Sequence, residues 1–135
     1  MLVTHLRALT QGHSVDRPVY DFVTHRRQAE TIRVTPEAFV IVDGLLTFHW
    51  AETQELCHQR IFLDAPSALR LSRRVARDTV ARDHHKVSVR EQWAGTAQPM
   101  STRYVKPTRG FADATIATRP PVAHIVASVT ERFGW

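Results

Sequence analysis

The sequence predicts an α/β fold with a mostly parallel sheet. Three observations lead there. Phe39 to Val42 and Ile61 to Leu63 are short, continuously apolar and β-rich, the composition of parallel strands buried on both faces. Segments with apolar residues at helical spacing alternate with them, as layered α/β folds require. The 135 residues are 43% hydrophobic and contain no internal repeat, low-complexity tract or linker, which suits one domain around one core.

The elements follow in order. Leu2, Leu6 and Leu9 recur at helical spacing before Gly12, so a helix is expected near residues 2 to 11. Val19 to Phe22 and Thr31 to Thr35 alternate like short strands and could pair as a small ribbon, closed by Pro36. Phe39 to Val42 is the first core strand and leads into Asp43 and Gly44. Ile61 to Leu63 is the second and ends in Asp64, and Pro66 then sits where a helix would start. Along that helix Ala68, Leu71 and Val75 form one stripe, and Arg70, Arg74 and Arg77 another. Val89, Trp93, Met100 and Tyr104 suggest a further helix with an aromatic face. Ala114 to Ala117 is a last short strand, and Val122, Ile125, Val126, Val129 and Phe133 mark a closing amphipathic helix.

Composition narrows the function. Lys and Arg outnumber Asp and Glu by 18 to 13, a formal charge of +5, which favours anionic partners such as phosphate esters, nucleotides or nucleic acid; a soluble surface that happens to be basic explains it equally well. Cys57 is the single cysteine, so an intrachain disulfide and a zinc site built on cysteine pairs are excluded. It reads as buried filler rather than a nucleophile. The start lacks a signal-peptide core and no apolar run could span a bilayer, so a cytoplasmic location without membrane partners is expected. His84 and His85 are adjacent and cannot share one helix face as metal ligands do.

Three groups of residues could carry chemistry. Asp43, after an apolar strand, would lie at the sheet edge where α/β proteins bind ligands, and could hold magnesium directly or through water. It could equally cap a turn. Arg70, Arg74 and Arg77 share a helix face, with Arg73 and Arg82 nearby. Their forked, permanently charged guanidinium groups suit phosphoryl oxygens, and the alternative is a solvated face paired with Asp78 and Asp83. Tyr20 and Phe22 could stack on a planar base while His25 bonds its edge or a sugar hydroxyl; ordinary core aromatics and a surface histidine are the alternative.

Taken together, the segments P-V-Y-D-F-V-T-H-R-R with E-T-I-R-V, V-I-V-D-G-L-L-T-F, I-F-L-D, L-S-R-R-V-A-R-D with Arg82, V-x-x-Q-W, P-M-S-T-R-Y-V-K-P-T and A-D resemble the uridine kinase (uridine–cytidine kinase) family of P-loop phosphotransferases, in family order across almost the whole chain. The resemblance implies a P-loop NTPase-type three-layer fold with a small β-ribbon at the nucleoside site. It implies transfer of the γ-phosphate of ATP, with Mg²⁺, to the 5′-hydroxyl of uridine or cytidine. It implies that Tyr20, Phe22 and His25 line the nucleoside pocket, with Arg74 and Gln92 close to the nucleoside. Arg77 and Arg82 become the catalytic, phosphate-facing lid, and Asp43 the counterpart of an acidic residue near the metal.

The chain departs from the family pattern in three places. No G-x-x-x-x-G-K-[ST] occurs anywhere, so the fold is expected to be incomplete, without its phosphate-loop strand and helix. The lid triplet R-G-R reads Arg82, Asp83, His84, and the acidic residue of E-G is Asp43. In this fold the loop strand lies between those matching Phe39 to Val42 and Ile61 to Leu63. These must then pair directly or leave backbone groups unpaired, and a marginal, oligomeric or rearranged protein is expected. Catalysis by these residues alone is not expected. The alternatives are a non-catalytic pseudokinase that binds nucleosides or a partner, and a basic nucleic-acid-binding domain, for which no motif is present.

Overall fold

The computed structural model describes residues 1–21, 24–81 and 85–134, in two compact units, Met1–His58 and Gln59–Trp135. The observed class is mixed α/β, with a two-stranded antiparallel sheet in the first unit and a two-stranded parallel sheet in the second.

The first unit opens with α1 (Leu2–Thr10), whose Leu6 and Leu9 are buried. The chain leaves the helix through Gly12, at φ 83, a left-handed conformation open to glycine. Strands β1 (Val15–Asp21) and β2 (Arg26–Val34) then pair antiparallel, Val15 opposite Val34 and Asp21 opposite Arg26. The expected ribbon is therefore present, and longer than its alternation suggested. Its register slips between Pro18 and Tyr20, and Pro18, having no N–H to donate, is suited to such an irregularity. Helix α2 (Ala51–Leu56), which no sequence signal announced, packs near α1 with Thr53 fully buried.

The expected core strand from Phe39 to Val42 does not form. That segment has no regular secondary structure, and Phe39 and Ile41 are 69% and 87% exposed. A strand can be buried on both faces only inside a sheet with hydrogen-bonded neighbours and covering layers. Among the described residues of this unit, the only strands are β1 and β2, and they pair with each other.

In the second unit, β3 (Ile61–Asp64) and β4 (Ala114–Ala117) form the parallel pair, Ile61 opposite Ala114 and Asp64 opposite Ala117. Helix α3 (Ser67–Ala81) follows β3 and starts directly after Pro66, whose carbonyl accepts the Arg70 N–H at 3.0 Å. A continuous helical run then brings the chain back to the sheet. It comprises α4 (Lys86–Gln92), a π-helical turn (Trp93–Ala97), α5 (Gln98–Met100), a second π-helical turn (Ser101–Val105) and a 3₁₀ turn (Lys106–Phe111). Val89, 1% exposed, is the largest fully buried hydrophobe described. Trp93 and Tyr104 are half-buried, but Met100 points outward. Each wide turn adds a residue to the helical repeat, so a stripe extrapolated at 3.6 residues per turn loses phase. Helix α6 (Val122–Phe133) closes the unit on β4, ending at Gly134, φ 70.

The parallel pair is clamped where both strands begin. Asp113 accepts hydrogen bonds from the Arg60 backbone N–H and from Nη2, both at 2.7 Å. Those two donors, the guanidinium first, hold the Asp113 carboxyl below its usual 3.8. A carboxylate depressed in the folded state stabilises it above its unfolded pKa and loses that contribution as pH falls through the lower folded value. Asp113→Asn is therefore expected to unfold more readily than the parent at about pH 6, with the gap closing as both are titrated below 3.8. Urea midpoints at stepped pH check this; a gap that persists at low pH contradicts it.

Candidate functional site

Helix α3 and the start of the following helical run carry the best-defined polar cluster. Asp78, only 1% exposed, sits among the arginines. It accepts the Arg77 Nε hydrogen bond at 2.8 Å, and Arg74 Nε lies 3.3 Å from its other oxygen. The Arg74 contact is an ion pair without an aligned hydrogen bond, because its Nε has no acceptor. Arg74 Nη2 instead donates to Gln92 Oε1 at 2.5 Å, joining α3 to α4. Two residues expected near the nucleoside, 18 positions apart in the chain, are thus brought into direct contact. Asp78 is a partner of the arginine face, as the alternative for that face anticipated, yet the pairing leaves Arg77 more than half exposed. Arg73 turns away: its Nη2 donates to the Thr118 carbonyl at 2.8 Å, tying α3 to the end of β4.

The remaining described candidates belong to the first unit. Tyr20 lies on β1, opposite Arg27 and largely exposed. His25 occupies the ribbon turn at φ 55, a left-handed conformation unusual for a residue with a side chain. Beside it the Thr24 hydroxyl donates to Asp21 Oδ2 at 2.7 Å and the Thr24 N–H approaches Oδ1 at 3.4 Å, so the turn is held by side-chain bonds. Phe22 and Arg82, with Asp83 and His84, lie outside the described residues. Asp43 is exposed and, contrary to expectation, ends no strand. It precedes a turn in which the Thr47 hydroxyl donates to the Gly44 carbonyl at 2.8 Å. A Cβ at Gly44 would come to 3.0 Å from that hydroxyl, so a larger residue there would require the Thr47 side chain to shift. No group of three or more metal-ligating side chains occurs among the described residues.

A family model described as "Phosphoribulokinase / Uridine kinase family" matches residues 1–124. The chain belongs to that family. This phosphoribulokinase/uridine kinase family member is 35% identical to a uridine kinase of Clostridium perfringens over 138 aligned positions, covering 99% of the chain and 66% of the relative. It is 39% identical to a uridine kinase of Chloroflexus aurantiacus, with 84% and 54% covered. A uridine kinase of Shewanella halifaxensis is 35% identical, with 84% and 53% covered. The chain thus spans between about half and two thirds of the length of these relatives.

In this family member no helix among the described residues is long and apolar enough to cross a membrane. Reasoning from sequence missed one polar group, at the C-terminal end of β3. Arg109 Nη1 donates to Asp64 Oδ2 at 3.3 Å, 45 positions away, and Arg70 Nη1 donates to Ser101 Oγ at 2.8 Å. Asp64 was visible as the end of a strand. Its pairing with Arg109 was not, because only the return of the helical run brings Arg109 there.

Proposed function

We propose that the chain is the nucleoside-side part of a uridine kinase-like phosphotransferase, acting on uridine or cytidine in cytoplasmic pyrimidine salvage. The chain would form part of a single three-layer P-loop domain, with Tyr20, Phe22 and His25 lining the nucleoside pocket on the ribbon and Arg74 and Gln92 bonding the nucleoside. Arg77 and Arg82 face the phosphates, and the functional protein is a homo-oligomer. The observation that carries this best is the Arg74–Gln92 hydrogen bond. Asp78 offsets part of the Arg74 charge, and the neutral Gln92 amide fixes where the guanidinium lies without cancelling more of it.

The implied groups fit unequally. Magnesium is commonly held by one or two carboxylates together with substrate phosphates, and an exposed Asp43 suits that role. When bound, the metal and ATP supply the transferring phosphoryl group and neutralise its charge. The residues present do not make a glycine-rich triphosphate cradle. What these residues do is hold the nucleoside and orient its 5′-hydroxyl. The lid triplet Arg82, Asp83, His84, where the family has R-G-R, favours a second reading, a non-catalytic nucleoside-binding relative.

Calorimetry of the 135-residue chain with uridine, beside an assay for uridine phosphorylation with ATP and Mg²⁺, tests both. Uridine binding without turnover is the expected result for these residues alone. Turnover would remove the non-catalytic reading, and absence of uridine binding would overturn the pocket assignment.

A further inference from the structure

Asp64 at the end of β3, Ser67 and Arg70 on the first turn of α3, and Lys106 and Arg109 on the 3₁₀ turn line a cleft of about 370 Å³ in the second unit. We propose that this cleft binds the phosphate group of a small molecule through Arg70, Lys106 and Arg109. None of these residues belongs to the nucleoside assignment above, so the two stand or fall separately.

The charge balance is the first argument. Three cations face the cleft against one carboxylate. Among the described residues Arg70 donates only to neutral acceptors, Ser101 Oγ at 2.8 Å and Gln98 Oε1 at 3.2 Å, and lies 5.4 Å from the Trp93 ring centre. Its Nε is buried without an acceptor. Among the described residues Lys106 has no ion-pair partner. Like charges gathered in a concave, partly desolvated site repel one another, and a dianion offsets that repulsion. The net charge of the lining, two positive, matches a phosphate dianion, and two guanidinium groups with an ammonium supply cationic donors from three residues for its several oxygens.

Position is the second argument. The cleft opens at the start of the 15-residue helix α3, whose first N–H groups have no partner within the helix. The Ser67 hydroxyl donates to Gln98 Oε1 at 3.1 Å, and that oxygen also accepts from Arg70, so the first turn of α3 is braced against α5. Asp64 then acts as an internal competitor. It holds Arg109 through an exposed pair at 3.3 Å, and such pairs contribute little and exchange readily. An arriving phosphate displaces the carboxylate from Arg109.

The test is a titration of the full chain at low ionic strength with inorganic phosphate and, separately, with ribose 5-phosphate, followed by calorimetry or phosphorus NMR. Saturable binding is expected. Lys106→Gln should weaken it about fivefold, while Arg119→Gln, which removes the same charge outside the cleft, should change it less than about twofold. Asp64→Asn should tighten binding about threefold by releasing Arg109. Tighter ribose 5-phosphate would identify a phosphate ester as the ligand, and equal affinity would identify free phosphate; either supports the site. Equal losses in Lys106→Gln and Arg119→Gln, weaker binding in Asp64→Asn, or no saturation at millimolar ligand would each overturn it.

Discussion

Replacing Asp78 by alanine is expected to lower the unfolding free energy by about 2 to 3 kcal/mol, the largest single-residue effect anticipated here. The carboxylate is 1% exposed and lies against two guanidinium groups, so its removal leaves Arg74 and Arg77 facing each other without a counter-charge. Breaking a fully buried ion pair costs about 3 to 5 kcal/mol. Solvent reaches Arg77, and part of Arg74, which lowers the expected figure. Asp78→Asn keeps the shape and one acceptor and should lose roughly half as much. Urea unfolding of the three proteins checks the order. An alanine variant as stable as the parent would mean that the arginines are already neutralised by solvent.

The second large effect concerns binding. In the proposed nucleoside site, Arg74→Ala and Gln92→Ala should each weaken uridine binding about tenfold, close to the contribution of one charge-assisted hydrogen bond. Because Arg74 Nη2 and Gln92 Oε1 share a hydrogen bond, the double variant should lose less than the sum, with a coupling of about 1 kcal/mol. Additive losses would show that the two residues act independently and that the contact does not prepare a pocket. Calorimetry across the four proteins measures this, and Asp78→Asn offers a control. If that carboxylate positions Arg74, uridine affinity falls there as well, although Asp78 need not touch the ligand.

The elements recovered from sequence are those whose signal is local. Helix α1 followed from three leucines and a glycine, and the glycine adopts the left-handed conformation that ends the helix. The ribbon followed from alternation, and β3, β4, α3 and α6 from short apolar runs and amphipathic stripes. Family membership was legible too, because P-V-Y-D-F-V-T-H-R-R and L-S-R-R-V-A-R-D are distinctive as strings, whatever they fold into. The arginine face was visible from spacings of three and four, but its balance was not. Whether Asp78 would be buried between two cations depends on what α4 packs against α3.

What sequence could not supply is everything set by non-local pairing. Phe39 to Val42 carries the composition of a buried strand and lies exposed, because strand identity needs a hydrogen-bonded neighbour and none of the described strands provides one. Met100 left the expected aromatic face because the π-helical turn before it, Trp93–Ala97, changed the phase of the helical run. The cleft beside Asp64 drew Arg70, Lys106 and Arg109 from stretches about 40 residues apart. By itself, then, the sequence determined the family, the order of most elements and the residue types available for phosphate and nucleoside chemistry. The tertiary structure decided which charges meet, since electrostatic partners are chosen by proximity in space, and a linear pattern does not record proximity.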